Sequence, residues 1–469
     1  MAYPGSPTHQ QHQYHSSSYA LLDAARAEAQ KKRKYDSQAT RDTITQECLK
    51  CAQVVPYPEQ LDLAECMLLG LDAVSIAGTG WGKTLPFVLP LFVPSTKGKI
   101  VVILSPLNAL EADQAERFKK MGLTAIALNA ESNSPELLSE IERGKHSVVI
   151  LGPKLLVGSH SHVRTLFSQP RFSGKVLGLV VDEAHCITQW GSDFRPEYGN
   201  LGMIRVLLSV DTAVQLTSAT MPPPVLSQAC KTLHVNPEDA FVLNLGNDRP
   251  NITWKVIHMK AGKSDLEVLS CLIPEELHSD EQPAHLPKTM VFFDDILQSM
   301  RARQWLLAHL PDALHARVKC YHSRRCGLAK SLVMRDFRQG SVDMLLTTEA
   351  AGMGCDIPDI EHVVQYMAPA SLSVWVQRAG RAGRRPNMQA RATLLIQPSV
   401  FQEVGKKKRQ EGDPIVYKKE IEPGLRNWVE TPPERCRRDV ADEYFHNPRQ
   451  RGGTSMTGPI SESYPDVFD

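Results

Sequence analysis

No stretch of this 469-residue sequence approaches the ~18 consecutive apolar residues that a membrane span requires. The densest runs cover residues 85–93 and 176–181, and Pro86 and Pro90 break the first, so a transmembrane protein is not expected. An N-terminal apolar segment is missing too: residues 1–19 are dominated by His, Gln, Ser, Tyr and Pro, which excludes a signal peptide. Charge of neither sign is in excess, with 53 Lys+Arg against 52 Asp+Glu and a formal net charge of +1. A chain so balanced cannot hold nucleic acid by bulk charge, and any such surface must be local. Cysteine is sparse, and its 10 residues are scattered in a way that fits a reducing compartment better than a disulfide framework. No internal repeat occurs at solenoid periods. What is present is 42% hydrophobic and 22% charged content, which suits roughly three domains at about 150 residues each.

Residues 1–19 bury too little apolar surface to offset ordering entropy, so residues 1–40 read as a disordered polar and basic tail. A polar helical stretch at 19–30 runs into Lys31-Lys32-Arg33-Lys34, either a nuclear import signal or a solvated charge run. From Ala73 on, β-rich apolar runs recur at 73–77, 100–104, 147–151, 177–181 and 213–217. A second series covers 289–293, 342–346, 362–366 and 392–396. Runs apolar on both faces at this spacing predict buried strands of parallel sheets with crossover helices. The expectation is therefore two α/β domains, 41–247 and 248–400, joined near 246–251, with a polar insertion at 278–287. Beyond Pro398 the charge rises through Lys406-Lys407-Lys408-Arg409, and 401–469 reads as a basic and helical extension.

Three segments carry chemistry. Gly78-Thr79-Gly80-Trp81-Gly82-Lys83-Thr84 follows the first predicted strand and precedes an expected helix. Glycines let backbone N–H groups turn inward as a phosphate nest, Lys83 would reach the β- and γ-phosphates of ATP, and the Thr84 hydroxyl would ligate Mg²⁺. A plain glycine-rich turn is the competing reading of this loop alone. Asp182-Glu183-Ala184-His185 sits at the carboxyl end of a buried run, where α/β sheets place their ligands. Asp182 would hold the Mg²⁺ through water, and Glu183 would orient and deprotonate the attacking water. Gln377-Arg378-Ala379-Gly380-Arg381-Ala382-Gly383-Arg384 lies in the second domain. Arg381 and Arg384, on one face if the segment is helical, would stabilise charge gathering on the γ-phosphate. A basic patch that merely binds phosphate backbone is the alternative. Trp190, Phe194 and Arg195 form an aromatic and cationic set suited to stacking on unpaired bases, the alternative being core packing.

Together these segments resemble the ATP site of superfamily 2 helicases. The run from Asp182 to Tyr198 closely resembles the aromatic-rich loop of RecQ DNA helicases, and further similarity covers 104–107, Asp113-Gln114, 216–220, 249–252, Tyr321-His322 and 352–354. The resemblance implies two RecA-like domains in tandem and ATP-dependent unwinding in the 3′-to-5′ direction on single-stranded and tailed duplex DNA. It also implies that Gln60 reads the adenine and that Ser218 and Thr220 couple hydrolysis to domain movement. The chain departs from the family at Tyr57, where Arg is usual, and at Arg378, where Glu is usual. The segment from Cys436 resembles the opening of the family's zinc-binding subdomain, yet no Cys follows it, so no zinc is expected. The resemblance is thus to a family member truncated at its C-terminus, without a winged helix. Cys48 and Cys51 have metal-ligand spacing but no second pair nearby. Nuclear residence, a DNA-stimulated translocase without efficient unwinding, and a non-catalytic nucleic-acid binder complete the readings.

Overall fold

The computed structural model describes residues 7–106, 108–129, 132–157, 162–190, 200–262, 264–274, 286–351, 357–385, 387–405 and 415–448. Two parallel sheets account for the two series of apolar runs. The first contains β1 (Ala73–Ala77), β2 (Ile100–Leu104), β3 (Ala125–Leu128), β4 (Val148–Leu151), β5 (Val176–Val181), β6 (Ala213–Ser218) and β7 (Phe241–Gly246) in the order β3-β4-β2-β5-β6-β1-β7. The second contains β8 (Ile252–His258), β9 (Thr289–Phe292), β10 (Val318–Tyr321), β11 (Met344–Thr347), β12 (His362–Tyr366) and β13 (Ala390–Ile396) in the order β10-β11-β9-β12-β13-β8. The expected tandem of parallel-sheet α/β domains is what the chain forms. β1, β2 and β12 are buried along their whole length, and each fully buried aliphatic side chain contributes about 1.5–3 kcal/mol.

Register brings the chemistry-bearing loops to one edge. β6 lies between β1 and β5, with Ile76 opposite Ser218 and Val181 opposite Leu216. The loops leaving β1, β5 and β6 therefore emerge side by side at their carboxyl ends, the usual ligand position in such sheets.

Two expectations are corrected. Residues 1–40 are not a disordered tail where they are described: Pro7–Arg33 is one helix and Ser37–Ala52 begins a second. What holds them is charge as well as apolar surface. Leu22 is fully buried, and Arg26 and Arg41 both reach Asp62 and Glu65 on the Pro58–Leu69 helix. Glu65 also accepts from Tyr35 Oη at 2.9 Å and Ser37 Oγ at 2.6 Å. A fully buried carboxylate requires such partners, and composition alone does not reveal them. Lys31, Lys32 and Arg33 form the last turn of the first helix, where Arg33 donates to Leu68 O at 2.8 Å.

The second correction concerns the segment after Thr84. It forms short 3₁₀ turns at Leu85–Phe87, Leu89–Phe92 and Pro94–Thr96 in place of the expected helix. Pro86, Pro90 and Pro94 remove amide donors that an α-helix would need.

The described helices of the C-terminal extension are part of the second core. The helices Pro423–Val429 and Arg437–Phe445 bury Leu425, Trp428, Val429, Val440 and Phe445 beside Trp375. Trp254 of β8 meets Trp375 and Trp428 edge-on, with ring centroids 5.5 Å away in each case. Glu422 accepts from Leu425 N at 2.8 Å and from Leu372 N at 3.2 Å, capping its own helix and also Leu372–Ala379, the helix that leads to Arg381.

Candidate functional site

The loop after β1 is shaped for phosphate. Gly80 and Gly82 have φ of +92° and +85°, a left-handed backbone open mainly to glycine. Lys83 Nζ donates to Ala77 O at 2.8 Å and Gly78 O at 3.1 Å, folding back over its own loop. Burial lowers the Lys83 pKa, Glu183 and Asp182 oppose that, and Arg384 and Arg381 reinforce it. The charges of both sheets therefore meet at this ammonium. Gln60 is buried, accepting from Tyr57 N at 2.9 Å through Oε1 and donating to Trp81 O and Gly82 O at 3.2 and 3.3 Å through Nε2. Its amide braces the phosphate loop directly. The Tyr57 and Trp81 rings lie nearly parallel, 24° apart, with centroids separated by 6.4 Å.

Asp182 and Glu183 follow β5. Asp182 is buried, with Oδ2 accepting from Gln114 Nε2 at 3.0 Å and Oδ1 from Glu183 N at 2.9 Å. Burial, and then the Glu183 charge, raise its pKa. Glu183 takes φ +50°, a left-handed conformation on a non-glycine residue, which costs on the order of 1–3 kcal/mol and is retained at sites that use it. Burial pushes its carboxyl up, but the proton on His185 and the Lys83 and Arg381 charges outweigh burial and hold it well below the carboxylate range. Its Oε2 is buried and lies 3.3 Å from His185 Nδ1.

His185 joins the two sheets. Its Nδ1 lies 2.9 Å from Ser218 Oγ, and Gln377 Nε2 reaches its Nε2 at 2.9 Å. With Gln377 donating, Nε2 accepts and Nδ1 carries the proton toward Ser218 and Glu183. Ser218 Oγ also accepts from Thr220 N at 3.1 Å, while the Thr220 hydroxyl is buried without a hydrogen bond among the described residues. Thr79 Oγ1 donates to Gly380 O at 2.8 Å across the same seam. The helix carrying Gln377 ends at Ala379. Arg381 and Arg384 lie beyond it, in a turn where Gly383 has φ +58°, and do not share a helix face. Arg381 is buried, and Arg384 Nε donates to Gly380 O at 3.4 Å.

The oxygen donors of Thr84 and Asp182 fit a hard cation such as Mg²⁺. The buried Glu183 Oε2 fits a water brought by that cation, and the glycine nest fits the phosphate. Among the described residues no cluster of three or more His, Cys, Asp or Glu side chains is arranged as a metal site. Trp190 ends a short helix, Cys186–Trp190. Its side chain, and all of Phe194 and Arg195, lie outside the described residues, as do residues 352–354. Arg378 stands apart from the phosphate loop: its guanidinium donates to Asp294, Gln365 and Glu349 at 2.8, 2.6 and 2.6 Å, tying together the ends of the second sheet.

Sequence reading gave no role to Gln114, His185 or Arg249. Gln114 and His185 are seated by contacts across 68 and 192 residues, separations that no local pattern encodes. Arg249 donates to Thr79 O from 170 residues away.

This architecture defines a class. Residues 57–228 match the DEAD/DEAH box helicase family and residues 268–386 match the helicase conserved C-terminal domain, and the chain belongs to the helicases that pair these two domains. Within that class its resemblance is to the RecQ family. It is 30% identical over 352 residues to the probable ATP-dependent DNA helicase RecS of Bacillus subtilis, covering 73% of this chain and 64% of that protein. To the mouse bifunctional 3′-5′ exonuclease/ATP-dependent helicase WRN it is 28% identical over 330 residues, covering 70% of this chain and 22% of WRN. The ATP-dependent DNA helicase RecQ of Synechocystis is 26% identical over 353 residues, with 74% of this chain and 70% of RecQ aligned. The chain thus spans about a fifth of WRN and under two thirds of RecS. Among solved structures, Mss116p bound to ssRNA and AMP-PNP superposes with a TM-score of 0.63 at 18% identity, over 78% of this chain and 74% of that one. The DUF1998 helicase MrfA bound to DNA gives 0.59 at 18% identity, over 76% and 50%. At such identities these structures share the fold.

Proposed function

We propose that this chain is an ATP-dependent DNA helicase that hydrolyses ATP in the cleft between its sheets and unwinds DNA with 3′-to-5′ polarity. One observation carries the reading: the site is assembled from both sheets, with His185 bonded to Gln377 across the seam and the Arg381 and Arg384 charges felt at Lys83. The loop from Gly78 to Thr84 would cradle the triphosphate, with Lys83 leaving its carbonyl partners for the phosphates. Thr84 and Asp182 would hold Mg²⁺, whose chemistry is to neutralise charge on the phosphate oxygens. Glu183, ionised and held by its strained backbone, takes the proton from the attacking water. His185, with its proton on Nδ1, positions Glu183 and Ser218. Arg381 and Arg384 stabilise the negative charge that develops, a contribution on the order of 10³–10⁵ in rate for a supplied arginine.

A site completed by the second domain converts hydrolysis into opening and closing. Single-stranded and tailed duplex DNA are the proposed partners, with Trp190, Phe194 and Arg195 stacking on bases and meeting phosphate. The proposal includes nuclear residence, supported by the basic run at residues 31–34.

The test is ATP turnover with and without single-stranded DNA, beside strand separation on 3′-tailed and 5′-tailed duplexes. The expected result is DNA-stimulated hydrolysis and unwinding of the 3′-tailed substrate alone, with Glu183→Gln retaining ATP binding and losing turnover. Hydrolysis at the parent rate by Glu183→Gln refutes the assigned base. Stimulated hydrolysis without strand separation refutes unwinding and leaves a translocase.

A further inference from the structure

Between the sheets runs a short linker, residues 247–251, and Arg249 sits in the seam itself. One terminal nitrogen of its guanidinium donates to Thr79 O at 2.9 Å and Thr79 Oγ1 at 3.1 Å. The other donates to Gly383 O at 2.5 Å and Ala382 O at 3.2 Å, and Nε donates to Asn251 Oδ1 at 3.3 Å. One rigid fork thus grips the phosphate loop of the first domain and the arginine turn of the second. Burial lowers its pKa, and no carboxylate pairs with it among the described residues. Its charge is solvated by carbonyl and hydroxyl oxygens supplied by two domains, an arrangement that exists only while those domains are together.

The linker is itself held from behind. Arg438, on the Arg437–Phe445 helix, donates to Arg249 O at 3.0 Å and Ile252 O at 2.6 Å and pairs with Asp248. Asn447 Nδ2 donates to Asn247 Oδ1 at 2.8 Å, and Asn244 Nδ2 donates to His446 O at 3.0 Å. Because that helix belongs to the second core, it presents Arg249 to the seam at a fixed height.

We propose that Arg249 is a positioning residue for hydrolysis, which fastens the turn bearing Arg381 and Arg384 over the phosphate loop, and that Arg438 sets its place. This inference rests on the proposed hydrolysis in the cleft. Arg249 reaches carbonyls flanking the arginines and touches no residue assigned to the metal, so its loss should leave ATP binding to the first domain intact while misplacing the second domain's charges. A displacement of about 1 Å at such groups costs about 100-fold in rate. Lysine offers a single point of donors in place of a fork and cannot span both partners.

The experiment compares the parent chain with Arg249→Ala, Arg249→Lys and Arg438→Ala. DNA-stimulated kcat, affinity for a fluorescent ATP analogue, melting temperature, and the nucleotide-free radius of gyration from small-angle X-ray scattering are measured for each. Expected for Arg249→Ala is a kcat loss of about 100-fold, analogue affinity within about twofold of the parent, and a larger radius of gyration. Arg249→Lys should recover little, and Arg438→Ala should show the same pattern at smaller amplitude. Parent-like kcat and radius in Arg249→Ala overturn the proposal. Affinity falling as far as kcat overturns it too, by assigning Arg249 to phosphate contact or to general folding. If the parent chain itself fails to hydrolyse ATP, the proposed function fails, and the scattering comparison still decides whether Arg249 fastens the domains.

Discussion

Replacing Glu65 with Gln tests whether charge anchors the two N-terminal helices. The parent carboxylate accepts at Oε2 from Arg26 Nη2 and Arg41 Nε, both at 2.6 Å, and at Oε1 from Tyr35 Oη at 2.9 Å and Ser37 Oγ at 2.6 Å. A glutamine of the same shape can turn its oxygen to the arginines and its amide to the two hydroxyls, which rotate to accept. The number of hydrogen bonds survives, but all four lose a negative partner, and the two to Tyr35 and Ser37 become neutral on both sides. Hydrogen bonds to charged groups contribute about 1.5–3 kcal/mol against about 0.5–1.5 for neutral ones, so the substitution should cost about 2–3 kcal/mol. For a domain of this size that is a fall of about 5–10 °C in melting temperature. The effect also has a pH signature. Despite the opposing effect of burial, Arg26, Ser37 and Arg41 hold the Glu65 pKa below its ordinary value. Its stabilisation is therefore present above the unfolded-state pKa and is lost as pH falls through the folded one. Thermal unfolding of parent and Glu65→Gln across the acid range, followed by far-UV dichroism, should show curves that converge toward low pH. A difference under about 0.5 kcal/mol at neutral pH, the range of an inconsequential surface change, refutes the charge anchor and leaves apolar contact through Leu22 as the cause.

Three further outcomes are expected. His362, buried 2.9 Å from Thr393 Oγ1, has its pKa lowered to about 4 by burial; its folded pKa lies below the unfolded one, so stability falls as pH drops from about 6.5 toward 4, by up to about 3 kcal/mol. His362→Gln should flatten that part of the parent's pH–stability profile, and an unchanged profile refutes the assignment. Gln377→Ala removes the 2.9 Å link to His185 and should lower DNA-stimulated kcat about tenfold, the worth of one hydrogen bond, with nucleotide affinity measured alongside and unchanged. Trp81→Ala removes the ring facing Tyr57 and, if that ring packs on the adenine of ATP, should raise the KM for ATP about fivefold, the worth of one aromatic contact, with kcat preserved; a parent-like KM refutes an adenine contact by Trp81.

Whether a strand was legible in the sequence depended on its position in the sheet. The interior strands β1, β2, β4, β5 and β6 and the interior strands of the second sheet read as continuous apolar runs because both faces are covered. In the two parallel sheets, the strands that the apolar pattern did not announce are β3, β7, β8 and β10, and these are their four edges. β8 alternates, with Thr253, Lys255 and His258 among its half-buried and exposed positions, because one side meets solvent. The site divides similarly. Lys83, Asp182 and Glu183 lie next to strand ends, where a local pattern and a buried run suffice to find them. Gln114 and Arg249 act through contacts set by strand order, and the N-terminal helices are ordered by Asp62 and Glu65, whose need for partners appears only once burial is known.

The seating of Trp428 within the second core has a spectroscopic consequence. The sequence contains 6 tryptophans, and Trp254, Trp375 and Trp428 form one edge-to-face cluster. Half of the chain's indoles therefore sit where the C-terminal helices meet the sheet. Cutting the chain just after β13 removes Trp428 and exposes the other two, so such a fragment should emit at longer wavelength than the parent. In the intact chain, the same emission reads out whether the helix that carries Arg438 is docked behind the linker, with no added label.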